Sequence, residues 1–168
     1  MFNPKLILAS LALAFVSTSA IAGDTPIVGN VQSKCSIYTD KEGVYGNPIS
    51  SKLSTDPVDG GVKPVIRYDV VQGGYYIAKI AWPNNFSSSP SLGDAVAWDG
   101  TIAVKEVTDP LMSAYETDKV EYNNVTEFDL TVAGTVWFDV ASAAEYGYDK
   151  PFPAGSYTAI VTAECIAK

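Results

Sequence analysis

From residue 128 to residue 140 the chain keeps Phe128, Leu130, Val132, Gly134, Val136, Phe138 and Val140 on one parity without a break. Successive side chains of an extended strand point to opposite faces, so a strict period of two describes a strand with one buried face. On a helix the same spacing would scatter apolar groups around the axis. The unbroken parity favours one long strand with a bulge at Gly134; a hairpin turning at 133–134 is the other arrangement that fits. Alternation recurs over 30–38, 65–71, 75–82, 94–98, 101–107 and 156–166, with a weaker run at 119–122. Gly43, Gly46, Asn47 and Pro48 close the first run, and 50–63 and 83–90 have loop composition. Gln72-Gly73-Gly74 and Asp99-Gly100 predict hairpin turns between their flanking runs. Asp109-Pro110 predicts a capped helical turn through Tyr115, and 141–146 predicts a short helix. Roughly seven to nine strands, with turn signals every 8–12 residues or so, predict an all-β chain folded as an immunoglobulin-like β-sandwich.

The first 22 residues predict a cleavable secretory signal. Lys5 supplies the positive start, residues 6–16 are apolar apart from Ser10, and Ala20-Ile21-Ala22 is a small-x-small cleavage site. The apolar run is shorter than the roughly 20 residues a membrane-spanning helix needs. The expected organisation is a signal at 1–22, a tail at 23–34 and one sandwich domain at 35–168, with no membrane span in the mature chain. Formal net charge is −8, and −9 once Lys5 is removed. So acidic a surface repels nucleic acid and anionic headgroups, and no nucleic-acid partner is expected. Cys35 and Cys165 are the two cysteines. An even count in an exported chain predicts that they form a disulfide.

The chain has no histidine. That excludes Ser-His-Asp and Cys-His catalysis and removes the commonest zinc and copper ligand. Carboxylate chemistry needs only two acids at a fixed separation, but nothing in the spacing of Glu106, Glu116, Glu121 and Glu127 selects a pair. No catalytic residue, metal or cofactor is therefore expected. The acid–glycine runs Asp56-Pro57-Val58-Asp59-Gly60 and Asp40-Lys41-Glu42-Gly43 do not fit the EF-hand pattern. Asn85-Phe86-Ser87 and Asn124-Val125-Thr126 are sequons, taken here as loop or turn residues. Trp82, Trp98 and Trp137 fall in predicted strands and are expected in the core. Tyr146-Gly147-Tyr148 is the loop whose tyrosines could stack on sugars or proteins.

The end of the chain carries the most specific pattern. Tyr157, Ala159, Val161, Ala163 and Cys165 share one parity, and Gly155 stands fourteenth from the end. This resembles the C-terminal assembly motif of chaperone–usher pilus (fimbrial) subunits, although Ala167 stands where that family has a tyrosine. The front, with a signal, a short tail and then Cys35-Ser36-Ile37-Tyr38 followed by Gly43-Val44-Tyr45-Gly46-Asn47, resembles spore-coat-like secreted pilin domains. The family's disulfide usually joins the first strand to the second, whereas Cys165 is at the far end.

The resemblance implies an incomplete sandwich completed by a donor strand. Its assembly strand would carry Gly155, Tyr157, Ala159, Val161 and Ala163, and its donor tail Ile27, Val28 and Val31. The implied partners are a periplasmic chaperone and usher and then neighbouring subunits, in a fibre or coat at the cell surface that serves adhesion or biofilm. The alternative is a monomeric secreted sandwich that binds a ligand such as carbohydrate. A carboxylate enzyme is the third possibility by composition.

Overall fold

A computed structural model describes residues 34–168. The predicted signal and the tail residues Ile27, Val28 and Val31 lie outside the described residues. The described chain is all-β, with a single short α-helix, α1 (Tyr115–Asp118). Its strands are β1 (Cys35–Lys41), β2 (Gly46–Ile49), β3 (Lys52–Ser54), β4 (Val65–Val70), β5 (Tyr76–Ala81) and β6 (Phe86–Ser88). They continue with β7 (Val96–Val107), β8 (Val120–Tyr122), β9 (Val125–Leu130), β10 (Gly134–Tyr146), β11 (Thr158–Ala159) and β12 (Thr162–Ala167).

Two antiparallel sheets carry the architecture. The larger is built on β10. One side of β10 pairs with β4 through residues 134–139 and with β3 through 143–145, and the other side pairs with β7 along nearly its whole length. β1 extends this sheet beyond β4, and β2 extends it beyond β3. The smaller sheet has the order β12-β5-β9-β8. Their alternating residues meet in one core: Ile66, Tyr68 and Val70 from β4, Ala78 and Ile80 from β5, Phe128 and Leu130 from β9, Val136, Phe138 and Val140 from β10. Phe138 lies edge-on to Tyr68 at 5.6 Å between ring centroids and 4.3 Å from Phe128, so the largest groups interlock across the sandwich. Met112 and Tyr115 close one end from a 3₁₀ turn (Pro110–Ala114) and α1. Asp109 caps that turn as expected, its carboxylate accepting the Leu111 N–H at 2.9 Å.

Several local expectations are corrected. The runs joined by Gln72-Gly73-Gly74 form no hairpin, because β4 and β5 lie in different sheets. The segment crosses from one sheet to the other, with Gly74 in the left-handed region at φ 83°. Asp99-Gly100 makes no turn either: β7 runs straight through it. Gly100 is required by packing, since a Cβ there would stand 2.7 Å from Ala141 O and from the Trp82 ring. The 128–140 run is neither one strand nor a hairpin. It breaks at 131–133, leaving β9 and β10 in opposite sheets, with Gly134 at φ 144°. Residues 141–146 are strand, not helix, held between β7 and β3. Strands β2 and β3 fall where the sequence predicted breaks and loop. Trp82 packs against the core and Trp98 joins Phe86, with ring centroids 4.7 Å apart, but Trp137 faces outward and donates its Nε1–H to Asp40.

Of the three edge strands of the larger sheet, β1, β2 and β7, the first and the last are treated differently. On β7, Glu116 Oε2 accepts the Val104 N–H at 2.7 Å and Lys119 Nζ donates to Ile102 O at 3.1 Å. Lys119 is also paired with Glu116 and Glu121. Burial alone would lower the Lys119 pKa, but its hydrogen bonds to Glu116 and Glu121 outweigh that and hold it above the ordinary lysine value. Edge β1 has no comparable side-chain caps among the described residues.

Candidate functional site

The flank between β1 and β12 is where the sandwich stays open. Each is the last strand of its sheet among the described residues. The two are tied by the predicted disulfide, Cys35–Cys165, with Cα atoms 6.4 Å apart. On β12 the ladder fixes which backbone groups remain. Lys168 N–H donates to Tyr75 O, so the even-numbered residues bond to β5. The amides of Ala163 and Ala167 consequently point away from the sheet. By the same alternation, Val71 N–H on Lys34 O turns the amides of Ile37 and Thr39 outward from β1. The side chains of Ile37, Val161 and Ala163 pack on the core, while Thr162 and Glu164 are exposed.

Beyond the disulfide the flank widens into two adjoining clefts. One, of about 490 Å³, is bounded by Thr39, Pro64, Ile66, Pro83, Ile160 and Val161, with Tyr45 and Ser142 at its polar side. The other, of about 460 Å³, lies between Val44 and Leu53 on one wall and the segment Gly155, Ser156, Tyr157 and Thr158 on the other. Gly43, Tyr45 and Ala159 belong to both, so the two form one groove. Tyr45 and Ser142 share a 3.0 Å hydrogen bond between hydroxyls. Burial raises the Tyr45 pKa and the bond to Ser142 offsets part of that rise, so the group is neutral at physiological pH.

The structure therefore brings Gly155, Tyr157, Ala159 and Val161 along one groove wall, and places Ala163 at its end beside the disulfide. It does not make them one strand. β11 pairs with β6, β12 pairs with β5, and Ile160 between them is 62 % exposed. Gly155 has φ 152°, and a Cβ there would meet Pro90 Cγ at 2.4 Å. Tyr157 turns into a satellite aromatic cluster with Phe86 and Phe152, its hydroxyl donating to Pro153 O. The opposite wall, from Tyr45 to Leu53, was missed in the sequence. Gly43-Val44-Tyr45-Gly46-Asn47 stood out only for its resemblance to secreted pilin-like domains, and Gly46 is closely packed, a Cβ there standing 2.1 Å from Asp59 O.

The remaining candidates have structural partners. Glu116 and Glu121 hold Lys119, and Glu127 accepts from the Tyr122 hydroxyl. Glu106 lies opposite Trp137 in the β7–β10 ladder. Asp40 is taken by Arg67 and Trp137, Asp59 by Lys52, and Asp56 caps a 3₁₀ turn (Pro57–Asp59). No group of three or more acids or cysteines able to hold a metal ion occurs among the described residues. Asn124 donates to Trp82 O and Thr126 is buried, whereas Asn85 is exposed. In the tyrosine loop, Tyr146 is buried and accepts N–H bonds from Gly93 and Asp94. Tyr148 is fully exposed, within three consecutive left-handed residues, Gly147, Tyr148 and Asp149.

No protein-family model, no curated protein and no solved structure matches the chain.

Proposed function

We propose that the chain is a structural subunit of a surface fibre or coat, built as an immunoglobulin-like sandwich short of one strand and joined to its neighbours through the β1–β12 flank. The observation that carries this reading is the continuous groove whose wall runs from Gly155 to Val161 and ends beside the outward amide of Ala163. A groove with alternating apolar side chains on its floor and free backbone groups on its rim is the recognition surface for an added strand. The subunit is exported, held in the periplasm by a chaperone that fills the groove, and passed through an usher to the cell surface. There a neighbour's tail replaces the chaperone, and the polymer serves adhesion or biofilm. The tail of this chain, with Ile27, Val28 and Val31, is the donor segment. It leaves at Lys34, whose N–H is held by the Tyr76 hydroxyl at 3.0 Å. That is the disulfide end of the flank; the clefts open toward the other end. Donor and acceptor at opposite ends are what head-to-tail growth requires.

The test is a pair of neighbouring substitutions. Val161 lines the groove and packs on the core, while Thr162 faces solvent. An unpaired carboxylate at Val161→Asp costs several kcal/mol wherever a strand covers it; Thr162→Asp stays on the wet face. Val161→Asp is expected to abolish surface polymers seen by electron microscopy and on unboiled gels, with Thr162→Asp close to wild type. Equal behaviour of the two, or a wild type that stays monomeric without any chaperone, defeats the reading. A monomeric carbohydrate-binding sandwich then takes its place. Tyr148, held out on a strained turn beside a cleft of about 450 Å³ between Val96 and Glu145, is the observation that favours that second reading.

A further inference from the structure

We infer that a smaller cleft outside the groove, walled by Trp82, Asn84, Asn85, Ser87, Asn124 and Thr162, binds one uncharged sugar ring. The inference does not rest on the fibre reading, which concerns the β1–β12 flank.

The cleft measures about 270 Å³. It lies where the end of β5, strand β6, the β8–β9 turn and the start of β12 meet. It is smaller than the sites that enclose drug-sized molecules and suits a ligand of one ring. Both sequon asparagines converge on it, Asn85 from the loop before β6 and Asn124 from the β8–β9 turn. Two walls are held from behind. Trp82 N–H donates to Asn124 O at 3.0 Å, and Asn124 Nδ2 donates to Trp82 O at 2.6 Å. Trp82 also packs against the core, its ring covering Gly100. Ser87 is fixed by donating its hydroxyl to Thr158 O. Walls already in place lose little freedom when a ligand arrives.

Polar groups are left over for that ligand. Asn84, Asn85 and Thr162 are exposed, and their side chains make no hydrogen bond among the described residues. Asn124 spends its amide N–H on Trp82 and keeps its Oδ1. A carboxamide offers donors and an acceptor side by side, which is what hydroxyl groups, each a donor and an acceptor, require. A sugar ring carries hydroxyls around its rim and C–H groups on its faces. Trp82, Pro83 and Ile160 supply the apolar surface for such a face. Charge narrows the class further. No acidic or basic side chain lines this cleft, whereas Glu145 and Asp149 line the one beside Tyr148. It holds no cation to neutralise a carboxylate or phosphate, and a chain of formal net charge −8 repels anions. It holds no carboxylate to attract a cation either. The ligand is therefore neutral.

NMR of the nitrogen-15-labelled mature chain tests this. Methyl α-mannopyranoside, methyl β-galactopyranoside and methyl β-glucopyranoside are each added up to about 100 mM, with sodium glucuronate as the charged control. At least one neutral glycoside is expected to give saturable shifts, with a Kd in the millimolar range, at the Trp82 Nε1–H and at the amides of residues 84–87 and 124. Glucuronate is expected to bind at least about threefold more weakly. The Asn84→Ala/Asn85→Ala variant is expected to bind about tenfold more weakly, its spectrum otherwise unchanged; if that variant does not fold, the wild-type shift map decides alone. No saturable shift with any of the three glycosides overturns the inference. So do shifts centred on Tyr148, glucuronate binding as tight as that of the neutral sugars, or a folded double variant that binds like wild type. The fibre reading survives each of these results, because none of the probes enters the β1–β12 ladder.

Discussion

Removing the disulfide by Cys35→Ala/Cys165→Ala should cost about 5 kcal/mol of folding stability. The half-cystines are 130 residues apart in sequence. In the chain-entropy model, releasing a closed loop of that length restores about 17 cal/mol/K to the unfolded chain, or about 5 kcal/mol at 25 °C. The native side adds to this. Cys35 is buried at the core margin, and the bond joins the terminal strands of two sheets that share no hydrogen-bonded ladder. A domain of this length carries about 7–20 kcal/mol in total, so the variant should still fold but with a quarter or more of its margin gone. Guanidinium unfolding followed by tryptophan fluorescence measures the difference. The midpoint should fall, and the m-value should rise slightly because the unfolded chain without the cross-link exposes more surface. A loss under about 2 kcal/mol with an unchanged m-value would refute the entropic account.

Two further outcomes follow from single contacts. The Tyr68 hydroxyl donates to Glu164 O at 3.0 Å, and burial drives its pKa well above the ordinary tyrosine value. A folded-state pKa raised in this way gives a contribution that is full below about pH 10 and is lost as pH climbs from there through the folded value, so Tyr68→Phe should flatten the alkaline fall in stability at a cost of about 1 kcal/mol near neutrality; equal alkaline slopes for the two proteins would contradict this. Gly100→Ala should lose about 1–3 kcal/mol in chemical denaturation, because its Cβ would collide with Ala141 O and the Trp82 ring inside a strand; a neutral change would show that Gly100 serves no packing role.

The sequence carried the faces of the strands more clearly than their partners. Ile66, Tyr68 and Val70, or Val136, Phe138 and Val140, announce a buried face by parity alone, and all six are in the core. Parity cannot tell whether the next strand lies beside the first or across the sandwich. Hence the segment around Gly74 resembled a hairpin turn, and 131–133 resembled strand, although both carry the chain between sheets. Glycine was ambiguous for a related reason. Gly74 serves a left-handed bend and Gly100 a close approach, and the two uses are indistinguishable by letter. The alanine-rich 141–146 run lost its helical preference to ladders on both sides, which are tertiary facts. At the groove, alternation located Val161 and Ala159 on one wall. The change of partner at Ile160 could not be read, because it depends on β6 and β5, more than seventy residues earlier.

The side-chain plug on β7 has a consequence for encounters between molecules. A neighbouring parallel strand would satisfy Ile102 O and Val104 N–H with the amide and carbonyl of one of its own residues. Lys119 and Glu116 offer the same donor and acceptor on a tether a dozen or so residues long. Tethered ligands act at effective concentrations in the millimolar range. A strand from another molecule at micromolar concentration competes for these two groups at a disadvantage of about a thousandfold. It must also displace a lysine already bound to two carboxylates. Crowding of the molecule in solution therefore does little to recruit this edge.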